Sequence, residues 1–265
     1  MKILTILILT FTLSFAKVYY SKVEPYELRD ISSNVSGLVV SIDENMIGKK
    51  LTSKAYIRID SELDAKELVF IKEKLEYLRE IVKVNHDVLV NIEKSLVRKR
   101  ENYKRIEDLK FKSSVEKDKE YYDLVSSENL YLSTQKEIQN LKVQITDLKL
   151  REAHLQRSIE DKYLSDKDFV LYEISVKVGQ VVGISTPLAK VADISKAILT
   201  IYLDEPDVAD AKSKVIYING NKTSYKISRA LNIADSKNIS KYMAQIIIDS
   251  PELFSKLVTI ELKDK

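Results

Sequence analysis

From Lys49 to Val178 the chain contains neither glycine nor proline. Those two residues break helices most strongly, so a stretch this long without either lacks the punctuation of an ordinary globular domain. A heptad pattern fills it. Leu68, Ile71, Leu75, Leu78, Val82, Leu89, Ile92, Leu96, Tyr103 and Ile106 share one register, interrupted only by Asn85 and Lys99. A second register runs through Leu124, Tyr131, Ile138, Leu141, Ile145, Leu148, Leu155 and Ile159. The pattern predicts two helices folded back on each other, about 50 residues in each arm, making a rod of roughly 75 Å. The turn falls near Ser113. Ser113 followed by Glu116 is a capping-box spacing that can satisfy the free amides opening the second helix. Folding there sets Tyr103 beside Asp123 and Leu124, and Leu89 beside Glu137 and Ile138.

Ile81, Val88 and Leu109 on one flank, and Val143 and Leu150 on the outer face of the return arm, fall outside the seam. They are read in two ways, as packing between hairpins or as the scattered apolar residues that any surface carries.

Of the 265 residues, 31% are charged and 45% hydrophobic. Charges interleaved with a regular apolar period mark solvated helix surface rather than disorder. The net charge of +3 and the alternation of lysine with glutamate argue against nucleic acid as a partner. Lys2, the apolar run Ile3 to Phe15, and the small Ser14 and Ala16 form an export-signal pattern over residues 1–16, predicting a periplasmic location; an uncleaved anchor is the other reading. With no cysteine, disulfides and a lipid on an N-terminal cysteine are both excluded.

The segments flanking the rod read as short strands and resemble each other. The first is Val35-Ser36-Gly37-Leu38-Val39, then Gly48, Leu51, Ile57, Ile59 and Asp60; the second is Ile174, Val176, Gly179, Val182, Leu188, Val191 and Asp193. Gly37, Gly48 and Gly179 are expected at tight turns, where positive φ carries no steric cost. Two half-motifs at the ends of one excursion suggest a single β-sandwich with the rod inserted in it. Beyond Asp193, strands are expected at Ala197 to Leu203, Val215 to Ile218, Tyr225 to Ala230, Met243 to Ile248 and Leu257 to Leu262. Asn219-Gly220 is a strong hairpin-turn signal.

Taken in order, these elements resemble the periplasmic adaptors, or membrane fusion proteins, of tripartite efflux and secretion systems, over nearly the whole chain. The resemblance implies an α+β fold in which a long antiparallel helical hairpin is inserted in a lipoyl-like β-sandwich and followed by a small β-barrel. The divisions implied are a signal peptide (1–16), an N-terminal strand joining the C-terminal β-domain (17–29), a first lipoyl-like half (30–61), the hairpin (62–165), a second lipoyl-like half (166–195) with Gly179-Gln180-Val181-Val182 and Thr186-Pro187-Leu188, and the barrel (196–265). A second glycine common in such turns is replaced here by Lys54 and Ser185. Lys54 sits in no lipoylation motif.

The resemblance further implies a non-catalytic subunit. Its partners would be an inner-membrane transporter, with the proton-driven resistance-nodulation-division class favoured over an ATP-driven one because little precedes the apolar run, and a TolC-like outer-membrane channel. It would be a homo-oligomer, trimer or hexamer, held to the inner membrane through its partners. Adaptors of this kind carry Arg, Leu and Ser at fixed spacing near the hairpin tip. Arg105 and Leu109 match, whereas the third position is Glu116. The candidate docking residues are therefore Arg105, Leu109, Lys112, Ser113, Ser114 and Glu116. A guanidinium can bond carbonyls and carboxylates at a partner's helix ends, and a leucine beside it can fill a groove; read from spacing alone, Arg105 is equally one more solvated charge and Ser113 a helix cap.

No nucleophile, phosphate loop or dinucleotide fingerprint is present. His86 and His154 fall roughly 20 Å apart along the rod, too far to share a metal. The three methionines are dispersed, so neither a metal nor a cofactor is expected. Two other functions compete: a coiled-coil chaperone or spacer that grips unfolded envelope proteins, and an acyl-carrying lipoyl domain. The first leaves the paired β half-motifs unexplained, and the second lacks its lysine.

Overall fold

The computed structural model describes residues 17–264 apart from 235–237 and 239; the export segment expected at 1–16 lies outside the described residues. In chain order the elements are β1 (Val18–Ser32), β2 (Gly37–Ile42), β3 (Ile57–Ile59), α1 (Glu62–Glu107), α2 (Ser114–Asp161), β4 (Tyr163–Leu164), β5 (Val170–Ile174), β6 (Val181–Val182) and β7 (Pro187–Asp204). There follow a one-turn helix α3 (Glu205–Val208), β8 (Val215–Ile218), β9 (Asn221–Lys222), β10 (Ile227–Ala234), β11 (Lys241–Asp249) and β12 (Leu257–Lys263). The fold is α+β, a long helical hairpin with antiparallel sheets.

Helices α1 and α2, of 46 and 48 residues, are each about 70 Å long at 1.5 Å per residue. Buried along their seam are Ile71, Leu75, Leu78 and Leu96 of α1 and Leu124, Ile138 and Leu141 of α2. Val82, Leu89, Ile92, Ile145 and Leu148 are only half-covered, because two helices alone cannot enclose every residue of a shared stripe. Lys99, the charged interruption of the seam, crosses to α2 and donates to Ser127 Oγ at 2.7 Å and to the Asp123 carbonyl at 3.3 Å. Beside it Arg100 pairs with Glu128 at 2.9 Å, and the Tyr103 and Tyr121 rings meet at 5.6 Å.

The rod leaves and re-enters one small sheet. Strand β3 leads into α1, α2 leads into β4, and the two strands pair antiparallel, Ile57 with Leu164 and Arg58 with Tyr163. Of the hairpin expected over 62–165, the helix stops at Asp161, and Tyr163 and Leu164 are strand. The four-stranded sheet has the order β4-β3-β2-β6; the other strands form an eight-stranded sheet along β10-β11-β7-β1-β12-β8-β9, with β5 paired to β7.

Two apolar clusters fill the β part. One gathers Val39, Leu51, Tyr56, Ile57, Ile59, Leu164, Leu171, Val182, Leu188 and Val191. The other gathers Tyr19, Val23, Leu199, Ile201, Leu203, Ile216, Ile246 and Ile260. Strands β1 and β7 serve both: Ile31 and Leu188 pack into the first cluster, Tyr19, Val23 and Leu199 into the second. The expected divisions at 29/30 and 195/196 therefore fall inside continuous strands.

Gly48, Gly179 and Gly220 have positive φ, and Asn219-Gly220 forms the tight turn between β8 and β9 with both residues in the left-handed region. Gly37 differs from the expected turn. It opens β2 without positive φ, and a Cβ there would come within 2.6 Å of Ile59 Cγ2, so it is needed for close strand approach rather than for chain reversal.

Candidate partner-docking site at the hairpin tip

Residues 108–113 reverse the chain between the arms, with Leu109 N donating to the Ile106 carbonyl at 3.1 Å. Ser113 is the N-cap of α2. Its Oγ accepts from Glu116 N at 3.3 Å, while Glu116 Oε2 accepts from Ser113 N at 3.1 Å, so two amides that the helix cannot satisfy are satisfied reciprocally. Lys112 Nζ lies 3.0 Å from Glu116 Oε1. The Lys112 ammonium and the Ser113 amide and hydroxyl together hold the Glu116 carboxyl below its ordinary range. Lys117, also on α2, reaches across to the other arm, where its Nζ donates to the Glu107 carbonyl at 2.7 Å and closes the end of α1.

Lys112, Ser113 and Glu116, three of the residues singled out by the sequence, thus spend their polar atoms on one another. Ser114 is the exposed first residue of α2. Arg105 is exposed and meets Glu101 only at 4.0 Å, a separation that in water is worth little. Leu109 is half-buried. The six residues lie at one end of the rod, within or beside the turn.

Two apolar side chains at this end were missed by sequence reasoning, Phe111 at 80% and Val115 at 75% exposure. The signal was present: Phe111 is an aromatic residue in a turn of lysines and serines, and Val115 stands outside the α2 heptad. With the neighbouring polar groups internally bonded, Phe111 and Val115 leave an exposed apolar surface at the end of the rod.

A second apolar feature runs along α1. Leu63, Phe70, Tyr77 and Val84 recur every seven residues, Ile81 and Val88 lie between and beyond them, and all six are exposed. Only Ile81 and Val88 had been singled out; a second heptad count on the same helix recovers the others. On α2, Val143 and Leu150 are also exposed. Among the described residues no group of three or more His, Cys, Asp or Glu is placed to hold a metal, and no helix is long and apolar enough to cross a membrane.

No family model matches the chain, and no curated protein matches it in sequence. Solved structures do match it. The membrane fusion protein Spr0693 of Streptococcus pneumoniae aligns over 94% of this chain and 100% of its own, with a TM-score of 0.64 at 12% identity. The chain has the membrane fusion protein fold. MacA of Actinobacillus actinomycetemcomitans aligns over 93% of this chain and 78% of its own, with a TM-score of 0.63 at 18% identity. A MacA-MexA chimera carrying the Pseudomonas aeruginosa MexA α-hairpin domain aligns over 94% and 82%, with a TM-score of 0.50 at 16% identity. Membrane fusion proteins of this architecture thus share with the present chain both the rod and the β part that carries it.

Proposed function

We propose that this chain is a non-catalytic periplasmic adaptor that joins an inner-membrane transporter, of the resistance-nodulation-division class favoured above, to an outer-membrane channel. The observation that carries the reading is the separation of two unlike ends. A rod about 70 Å long ends in a polar-satisfied turn bearing Phe111 and Val115, while its other end is rooted in a small sheet that shares an apolar core with β5 and β7 of the larger one. Such a molecule spans a distance and offers a contact at each end.

In this reading the tip docks through Phe111 and Val115, with Leu109 beside them and Arg105 supplying the charged contact at the rim. Buried aromatic and aliphatic anchors dominate protein interfaces, and rim charges contribute less. Copies of the chain assemble side by side, the exposed α1 stripe from Leu63 to Val88 lying at the height of Val143 and Leu150 of the return arm. Equal height is what a closed ring of identical hairpins requires. A holdase that grips unfolded chains would also use such a stripe.

The test is the double substitution Phe111→Asp with Val115→Asp, followed by efflux in cells and by co-purification of the channel. Loss of tenfold or more in channel recovery is expected, since each anchor contributes about 1–3 kcal/mol, with helical content unchanged. Undiminished recovery refutes the tip reading. Suppression of client aggregation by the purified parent chain favours the holdase.

A further inference from the structure

A rod that carries position from one end to the other must not swivel at its root. Only three residues separate the hairpin from its strands: Asp60 and Ser61 between β3 and α1, and Lys162 between α2 and β4. Hinges need residues free to change φ and ψ. Here the candidates are held. Asp60 N donates to the Leu38 carbonyl at 2.8 Å and its Oδ1 accepts from Glu62 N at 3.0 Å. Ser61 Oγ lies 3.1 Å from the Tyr163 hydroxyl, and the Arg58 guanidinium stacks over the Tyr163 ring at 5.2 Å.

Lys162 is the decisive member. Ser61 and Lys162 are two of four buried polar residues among the described residues, and Lys162 is the one of those four that carries a charge. Its amide caps α2 through the Ile159 carbonyl at 3.1 Å, and its own carbonyl accepts from Ile59 N of β3 at 2.9 Å. Its ammonium reaches across the root of the hairpin to Asp64 in the first turn of α1. One residue therefore ties the end of α2, the edge of β3 and the start of α1. Each charge also sits at the helix end whose dipole favours it, the carboxylate at an N-terminus and the ammonium at a C-terminus. A lysine is expensive to bury and is held only where its partner is fixed.

We propose that Lys162 and Asp64 are positioning residues that bolt the helical hairpin to the β3–β4 pair, so that rod and sheet turn as one rigid body. A rotation of about 10° at the root then moves the tip by about 12 Å over a rod of about 70 Å. Movement imposed on the β part arrives at the docking end instead of being lost in a swivel. The functional meaning of the bolt rests on the docking role proposed above, but the bolt itself is measured without any partner.

Because the chain has no cysteine, two can be introduced cleanly, at the exposed Lys94 on α1 and Lys177 in the β part, and spin-labelled for pulsed dipolar distance measurement. The otherwise unaltered chain and Lys162→Arg, which keeps the charge, are expected to give one narrow distance distribution. Lys162→Met and Asp64→Asn, which leave one partner unmatched, are expected to broaden it about twofold or more with helical content unchanged. A broad distribution without any further substitution, or one in Lys162→Met as narrow as in the parent, overturns the proposal. Loss of helical signal in Lys162→Met would overturn it equally, because a bolt acts on direction and not on folding.

Discussion

At Gly37 a single methyl group meets a wall. A Cβ there would stand 2.6 Å from Ile59 Cγ2, and Ile59 is itself buried in the core beneath the hairpin. Gly37→Ala is therefore expected to cost about 1–3 kcal/mol, the usual penalty of overpacking, read as a shift in the urea midpoint with unchanged slope. Glu116 sits at the other extreme, on the exposed surface of the tip. Its carboxyl is held below the ordinary range in the folded tip, first by Lys112, so the stabilisation is present above the unfolded carboxylate's pKa and is lost as pH falls through the lowered folded value. Amide protection over residues 114–118 should fall on acidification below the carboxylate range while protection around Leu141 persists, and Glu116→Gln should abolish the difference. The capping pair was legible because its spacing is local. Gly37 was misread as a turn glycine because its reason for being glycine is a neighbour 22 residues away, which no local pattern reveals.

At the scale of elements, the two long helices could be read because glycine and proline are absent and the heptad is regular. The strands could be read less well. Tyr163–Leu164 is a two-residue strand whose existence depends on pairing with β3, and it was absorbed into the hairpin. Likewise β1 and β7 run through both cores, so no change in composition marks where one core ends. The tip was half legible. Arg105 and Leu109 lie beside the turn that the capping box marks, whereas the exposure of Phe111 and Val115 emerges only once the turn's polar groups are seen to bond among themselves. Within the rod, Leu75 is 2% exposed in a seam that many of its neighbours only half-cover. Leu75→Ala should cost about 2–5 kcal/mol, the range for deleting a buried leucine, and should lower the midpoint of helix loss on heating. The same change at the half-covered Leu89 should cost markedly less.

For the whole molecule, the arrangement separates tasks by distance. The β part holds the apolar cores and the long strands, the root fixes a direction, and the rod delivers a small apolar tip far from both. Photocrosslinking in living cells tests that division most directly, with a photoreactive residue replacing Phe111 and, as a second variant, Lys149 on the outer surface of the return arm. Capture of an outer-membrane channel protein from position 111 and not from position 149 is the predicted result. Capture of only soluble envelope proteins from position 111, or of the same proteins equally from both positions, would contradict it.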